Sequence, residues 1–227
     1  MSLDPRYAAV VFDMDGTFMD TKVDYGRLAT AIFEEIVSHG VPEEAVDRSR
    51  GSRYELESAI AWMRANGMAD RIGAVSAGVS ARATLVEMEN VDRARPFDGA
   101  LEVLERLREK DYRTGILTRG GRRYVEHVLS MHGILDDFDA VIARDDHPEE
   151  ESKPSPIAMR HMAAALGVEP AGILYLGDHA YDWMTARDSG AGFYGVLSGG
   201  YGADDWKRLD GGRIPTLDSV RDLLRMI

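Results

Sequence analysis

The sequence predicts an α/β protein, a parallel sheet flanked by helices, with an all-α insertion after the first strand. Three observations carry this prediction. Short apolar runs recur along the chain, each followed by small or polar residues and then by helical periodicity, which is the signature of βαβ units. The runs lack polar alternation, as strands covered on both faces do. Between about Asp20 and Arg95 no β-branched buried run occurs, and the chain reads there as successive helices.

The elements follow in order. The first strand is read in Tyr7–Phe12 and stops at Asp13-Met14-Asp15-Gly16-Thr17. Helices are predicted at Tyr25–Ser38, Arg53–Asn66 and Met68–Asn90, where Leu28, Ile32, Ile36 and then Leu56, Ile60, Met63 recur at helical spacing. Arg95-Pro96-Phe97-Asp98-Gly99 returns the chain to its α/β rhythm. A helix at Gly99–Lys110 precedes a strand at Arg113–Leu117, which runs into Thr118-Arg119-Gly120-Gly121. A helix at Arg122–His132 leads to the strand Ala140–Ile142, and the acidic run Asp145–Glu151 reads as a solvated loop. The helix Ile157–Leu166 opens beside Pro156 and closes at Gly167, as helix start and stop signals require. Strands at Gly172–Leu176 and Phe193–Leu197 run into Gly177-Asp178-His179 and a glycine pair. Residues 1–19 and 95–227 thus form a Rossmann-like core, and residues 20–94 a small all-α lobe, with crossings near Thr17–Lys22 and Arg93–Phe97.

Bulk properties narrow the partners. At 227 residues the chain can bury a sizeable core. A net charge of −12 disfavours broad nucleic-acid binding and adhesion to anionic lipid. No apolar run approaches the roughly 20 residues of a membrane span, and no charged-then-apolar amino terminus reads as a signal peptide. The absence of cysteine excludes disulfides, thiolate catalysis and thiolate metal sites. A cytoplasmic location is the expectation. Lysines are scarce (Lys22, Lys110, Lys153 and Lys207), so a lysine inside a motif is conspicuous.

Four stations carry candidate chemistry. Asp13 and Asp15 lie two residues apart where the first strand ends, so an extended backbone places both carboxylates on one face, at the carboxyl end of a strand, where ligands bind in open α/β sheets. Two acids there suit a hard cation, a nucleophile or an acid/base pair. Thr118 ends the second core strand; with the following backbone N–H groups it can hold an anion, or it serves as an ordinary helix cap. Lys153, stiffened by Pro154, supplies a point charge for a phosphate or an anionic nucleophile, or lies on the surface. Asp178 and Asp182 are four apart and share a helical face if the helix starts at once; each is also a credible first-turn acid. Three carboxylates at strand ends suit Mg²⁺, which takes oxygen ligands from carboxylates, phosphate and water. A zinc site is disfavoured without cysteine and with histidines scattered.

Taken in order, Asp-x-Asp-Gly-Thr, then Thr, then Lys-Pro, then Gly-Asp-x-x-x-Asp, the chain resembles haloacid-dehalogenase-superfamily phosphatases that carry a helical cap after the first motif, phosphoglycolate phosphatases among them. The resemblance covers nearly the whole chain. It implies Asp13 as a nucleophile that becomes an aspartyl-phosphate, and Asp15 as general acid and then base. It implies Mg²⁺ held by Asp13, Asp15 through its backbone carbonyl, and Asp178. It places Thr118 and the Arg119 backbone on the phosphoryl oxygens, Lys153 on nucleophile and phosphate, and Asp182 behind Lys153 or metal-bound water. An acid at position 15 suits phosphoryl transfer, because a halide leaving group needs no proton. The cap holds only Lys22, at its edge, which disfavours relatives that use a cap lysine for a Schiff base.

The sequence departs from that pattern at Arg119, where many relatives carry Asn. The guanidinium either faces solvent or supplies a second anion contact, and the second reading is adopted as the expectation. In capped relatives a loop between cap helices contacts the leaving group. The matching segment here is Arg50-Gly51-Ser52-Arg53-Tyr54-Glu55. Arg53 is the candidate for an acidic substrate, while Ser52 and Glu55 read as a capping box. The function expected is Mg²⁺-dependent hydrolysis of a small phosphomonoester metabolite, phosphoglycolate-like or a sugar phosphate. A sugar phosphomutase and a non-catalytic binding module on the same scaffold are the alternatives.

Overall fold

The computed structural model describes residues 3–49 and 51–227. By internal packing the chain divides into two units, Met1–Thr21 together with Asp92–Ile227, and Lys22–Val91. In chain order the elements are β1 (Ala9–Phe12), β2 (Met19–Asp20), α1 (Tyr25–Ser38), α2 (Ser52–Ala65), α3 (Ile72–Glu87), β3 (Arg95–Pro96), α4 (Ala100–Glu109), β4 (Arg113–Leu117), α5 (Arg122–Met131) and β5 (Ala140–Ile142). They continue with α6 (Pro156–Leu166), β6 (Ile173–Gly177), α7 (Ala180–Ser189), β7 (Gly192–Val196), α8 (Ala203–Asp210) and β8 (Thr216–Leu217).

The first unit is the predicted α/β, Rossmann-like core. Its six strands run in the order β5-β4-β1-β6-β7-β8, and every pair is parallel. All four residues of β1 are buried. Ala9 and Val11, with Ile173 and Tyr175 of β6, join the core formed by Met159, Met162 and Leu166 of α6. Phe12 turns to the opposite face, where its ring meets Phe18 at 5.3 Å and Phe18 meets Phe138 at 5.3 Å. Covering on both faces explains why the strand shows no polar alternation.

The strand order fixes where a site can form. From β1 the chain builds outward through β4 to β5, then returns to the other side of β1 to lay down β6. Connections therefore leave β1 and β6 in opposite directions, and the crevice beyond their carboxyl ends is the topological switch point of the sheet. Phe12 pairs with Leu176 at that end, and the Asp13 N–H extends the ladder by one bond, 2.8 Å to the Leu176 carbonyl.

The helical unit has its own core. Ile32 and Ile36 of α1, Leu56, Ala59 and Met63 of α2, and Val75, Val79 and Ala83 of α3 pack together. The Asp24 carboxylate caps α1 by accepting the Arg27 N–H at 2.9 Å. At α2 the capping-box reading is corrected. Gly51, at φ +95°, is the N-cap and no side chain caps the helix; Ser52 is already helical. Glu55 is instead buried, and its Oε2 has no hydrogen-bond partner among the described residues. Arg50, part of the same predicted loop, lies outside the described residues.

Other differences are local. The predicted third helix is interrupted, with 3-10 turns at Ala69–Arg71 and Met88–Arg93 on either side of α3. The two-residue strands β2 and β3 pair antiparallel, Met19 with Pro96 and Asp20 with Arg95; two residues are too few to show a period. The acidic run is exposed or half-exposed throughout, as expected of a solvated loop, but it holds a 3-10 turn at Glu149–Glu151 and several of its acids are paired. Asp145 accepts the Arg122 N–H at 2.7 Å, Asp146 accepts the Ala143 N–H at 2.8 Å, Glu149 pairs with Arg119, and Glu151 pairs with His161.

Candidate active site

Asp13, Lys153, Asp178 and Asp182 converge at the switch point, and all four are buried. Each is delivered by a different device. Asp13 follows the last residue of β1. Lys153 sits in the loop between the Glu149–Glu151 turn and α6, next to a cis peptide bond with Pro154. Asp178 directly follows β6. Asp182 lies in the first turn of α7, whose N-cap is His179. The two acids do not share a helical face, because the helix does not start at once after Asp178 but at Ala180. Asp178 precedes the cap, and the loop brings the carboxylates together.

One ammonium links most of the cluster. Lys153 Nζ donates to Asp13 Oδ1 at 2.6 Å, to Asp182 Oδ1 at 2.6 Å and to the Tyr175 hydroxyl at 2.9 Å, which accounts for its three protons. Asp182 Oδ2 accepts the His179 N–H at 3.1 Å, so this carboxylate closes a capping box and holds Lys153 at once. Gly177 makes that approach possible, since a Cβ there would collide with the Asp182 side chain.

Asp178 lies in a glycine cradle. Its Oδ2 accepts the Gly200 N–H at 2.6 Å, and a Cβ at Gly16 (φ +81°) or Gly199 would collide with the carboxylate. Charge in the cluster is unbalanced, with three carboxylates facing one ammonium. Burial, and after it the neighbouring carboxylates, hold the Asp13 carboxyl well above the usual range against the pull of Lys153. Burial and Asp182 push Asp178 up to about 6, opposed by the Gly200 N–H and Lys153. Burial pulls the Lys153 ammonium down, and Asp13 and Asp182 more than restore it, so it stays charged. Burial, then Asp182 and Asp13, raise the Tyr175 hydroxyl and keep it protonated.

The donor set fits a hard divalent cation. Carboxylate oxygens of Asp13, Asp178 and Asp182 lie within 4.8 Å of one another, and excess negative charge in a buried setting is what such an ion relieves. The Asp15 carboxylate is near enough for its charge to raise the Asp13 and Asp178 carboxyls. Its Oδ1 accepts the Thr21 hydroxyl at 2.6 Å and the Tyr124 hydroxyl at 2.6 Å.

The remaining predicted residues are placed as follows. Thr118 is buried at the end of β4, and its Oγ1 accepts the Gly120 N–H at 3.0 Å; that N–H is thereby taken by the chain itself. The Arg119 side chain is not aimed outward for a second anion. It donates to Ser152 Oγ at 2.9 Å, to the Lys153 carbonyl at 2.9 Å and to Glu149 Oε1 at 2.9 Å, which corrects the anion-contact expectation. Arg53 belongs to the helical unit, where its Nε donates to Glu57 Oε1 at 2.7 Å, one turn along α2.

Sequence reasoning missed Tyr175, Tyr124, Thr21 and the Gly199-Gly200 contact. Tyr175 carried a faint signal as the single hydroxyl in the aliphatic run Ile173-Leu174-Tyr175-Leu176. Tyr124 occupies an apolar position of α5; its ring is buried, and the hydroxyl beyond it reaches Asp15.

Buried carboxylates around one ammonium, at the strand-order reversal of a parallel sheet, define an α/β protein with a charged site where enzymes of this architecture place theirs. Comparison gives the family. Residues 10–196 match the model described as haloacid dehalogenase-like hydrolase, and the chain belongs to that family. It is 29% identical over 196 residues to an N-acetylmuramic acid 6-phosphate phosphatase of Pseudomonas aeruginosa, covering 82% of this chain and 79% of that one. It is 29% identical over 232 residues to a phosphoglycolate phosphatase of Cereibacter sphaeroides, covering 96% and 98%. A crystal structure of a hydrolase from Pseudomonas syringae superposes with a TM-score of 0.66 at 24% identity, covering 96% of each chain, and so shares the fold.

Proposed function

We propose that the protein is a Mg²⁺-dependent phosphatase of small phosphomonoester metabolites, phosphoglycolate-like or sugar phosphates, working through an aspartyl-phosphate. The observation that carries this reading is the Asp13–Lys153–Asp182 chain, with Asp178 beside it, at the carboxyl ends of β1 and β6. The curated relatives act on such esters by name. Asp13, the backbone carbonyl of Asp15, and Asp178 are the groups assigned to Mg²⁺, which would supply charge neutralisation between the phosphoryl dianion and an anionic nucleophile.

The chain's own residues supply the rest. A carboxylate oxygen of Asp13 attacks phosphorus as the bond from phosphorus to the leaving alcohol oxygen breaks. Lys153 fixes that carboxylate and balances its charge, with Asp182 and Tyr175 holding the ammonium in place. Asp15 gives its proton to the departing alkoxide, and the Tyr124 and Thr21 hydroxyls orient its carboxyl group. Water then attacks the acyl phosphate, Asp15 takes the proton, and cleavage between phosphorus and Asp13 releases inorganic phosphate. Splitting the reaction in two suits a substrate whose uncatalysed hydrolysis is among the slowest known. Thr118 and the Arg119 backbone are assigned to the phosphoryl oxygens. The helical unit is assigned the choice of leaving group, with Arg53 as its candidate contact for an acidic one.

The test is phosphate release from a panel of phosphorylated metabolites with Mg²⁺, with Asp13→Asn as control. Turnover of at least one ester that Asp13→Asn abolishes is expected. A folded protein that releases phosphate from none of them overturns the reading.

A further inference from the structure

We propose that Arg119 is a positioning residue, whose guanidinium fixes the backbone of the loop carrying Lys153 and so sets where the ammonium meets Asp13 and Asp182. The inference rests on the phosphatase reading of that cluster and adds a determinant of its geometry. Lys153 comes from a loop, outside any helix or strand. Its Nζ must nevertheless meet three acceptors inside a buried site. A loop-borne group needs its own restraint, because loops are the mobile parts of a fold, and a misplacement of about 1 Å costs on the order of a hundredfold in rate.

Arg119 supplies that restraint from a short segment tethered to β4. It lies two residues past the end of β4, and its own carbonyl accepts from Arg144 at 2.7 Å, while the Gly120 carbonyl accepts the Arg144 N–H at 3.0 Å. From this base Nη1 donates to the Lys153 carbonyl and to Ser152 Oγ, and Nη2 to Glu149. Ser152 Oγ donates in turn to the Glu149 carbonyl at 2.8 Å. Arg119, Ser152 and Glu149 thus form a closed ring bonded to the Lys153 main chain. The planar guanidinium fork suits this task, since an ammonium is a point donor that cannot reproduce its geometry. Glu149 neutralises the guanidinium and orients it.

The experiment compares wild type with Arg119→Met, Arg119→Lys and Glu149→Gln. Steady-state kinetics use p-nitrophenyl phosphate and 2-phosphoglycolate with Mg²⁺, and amide hydrogen exchange is followed over residues 149–155. In Arg119→Met, kcat is expected to fall about a hundredfold, with KM within about twofold for both esters and faster exchange in the segment. Arg119→Lys recovers part of kcat, and Glu149→Gln loses less than Arg119→Met. Unchanged exchange in folded Arg119→Met overturns the proposal whatever the kinetics, and so does faster exchange with kcat intact. A rise in KM confined to 2-phosphoglycolate, with kcat preserved, assigns Arg119 to the substrate instead. If wild type hydrolyses neither these esters nor any other phosphomonoester while exchange still accelerates, the positioning role stands and the phosphatase reading fails.

Discussion

The Tyr175 hydroxyl lies 2.7 Å from Asp182 Oδ1, the same oxygen that accepts the Lys153 ammonium. It also lies 3.0 Å from the Leu117 carbonyl, so one phenolic proton serves two acceptors while the oxygen accepts from Lys153. Replacing Tyr175 by Phe removes only that oxygen and leaves the ring packing in place. Lys153 and Asp182 each lose a partner in a buried setting, at a cost of about 1–3 kcal/mol. We expect kcat to fall roughly tenfold with KM little changed. Equal kcat in wild type and Tyr175→Phe would reduce Tyr175 to a packing role.

Asp15 is predicted to matter in proportion to the leaving group's need for a proton. Asp15→Asn should lower kcat for an alkyl phosphate by about 10²–10⁴-fold. For p-nitrophenyl phosphate, whose phenolate leaves readily, the first step should suffer far less. Tyr124→Phe removes one of the two hydroxyls on Asp15 Oδ1 and should produce a weaker form of the same selectivity. A uniform loss across both esters would argue for Asp15 as a positioning group.

The glycine cradle predicts a metal-affinity variant. A Cβ at Gly199 collides with the Asp178 carboxylate, and Gly199, unlike Gly16, has no positive φ. Gly199→Ala therefore tests crowding free of left-handed backbone strain. The Mg²⁺ concentration for half-maximal activity should rise about tenfold or more, in line with other losses of groups that orient metal ligands. An unchanged Mg²⁺ titration would remove Asp178 from the proposed cation site.

Glu55 predicts a stability change with a defined pH sign. The residue is 2% exposed with Oε2 unpartnered among the described residues, and burial raises its carboxyl above 4.5 against the pull of Arg48. The unfolded chain loses this proton first, so stability falls as pH rises from 4.5 toward the higher folded value and is level beyond it. Glu55→Met removes the buried charge and should stabilise the protein by about 1–2 kcal/mol at pH 8. The gain should shrink below pH 4.5, where wild type is already neutral. Denaturant unfolding at the two pH values measures it; a gain independent of pH would place its origin in packing.

Most of the fold was legible because covered strands and amphipathic helices announce themselves by composition and period. The limits of β4, β5 and α1 match the predicted Arg113–Leu117, Ala140–Ile142 and Tyr25–Ser38. What escaped was short or depended on tertiary contact: the β2–β3 pair, and the true cap of α2, where a positive-φ glycine displaced an apparent serine cap. The site divides the same way. Asp13 and Asp178 are readable as acids at strand ends, Lys153 as a lysine stiffened by proline and Asp182 as a first-turn acid, and the structure brings the four together. Arg119 was misread because nothing in sequence shows that Glu149 and the Lys153 carbonyl lie within reach of its side chain. Tyr175 and Tyr124 have apolar bodies that satisfy a hydrophobic pattern while their hydroxyls act elsewhere.

The antiparallel pairing of Met19–Asp20 with Arg95–Pro96 ties the outgoing and returning chains together before the helical unit begins. For the sheet, everything between those strands is a closed loop whose ends are already joined. Closure entropy grows only logarithmically with the number of residues enclosed, about 0.6 kcal/mol for each doubling. The core is therefore nearly indifferent to what the ribbon holds. Lengthening, shortening or exchanging the insert should leave core stability almost constant, and with it the meeting of Asp13, Lys153, Asp178 and Asp182.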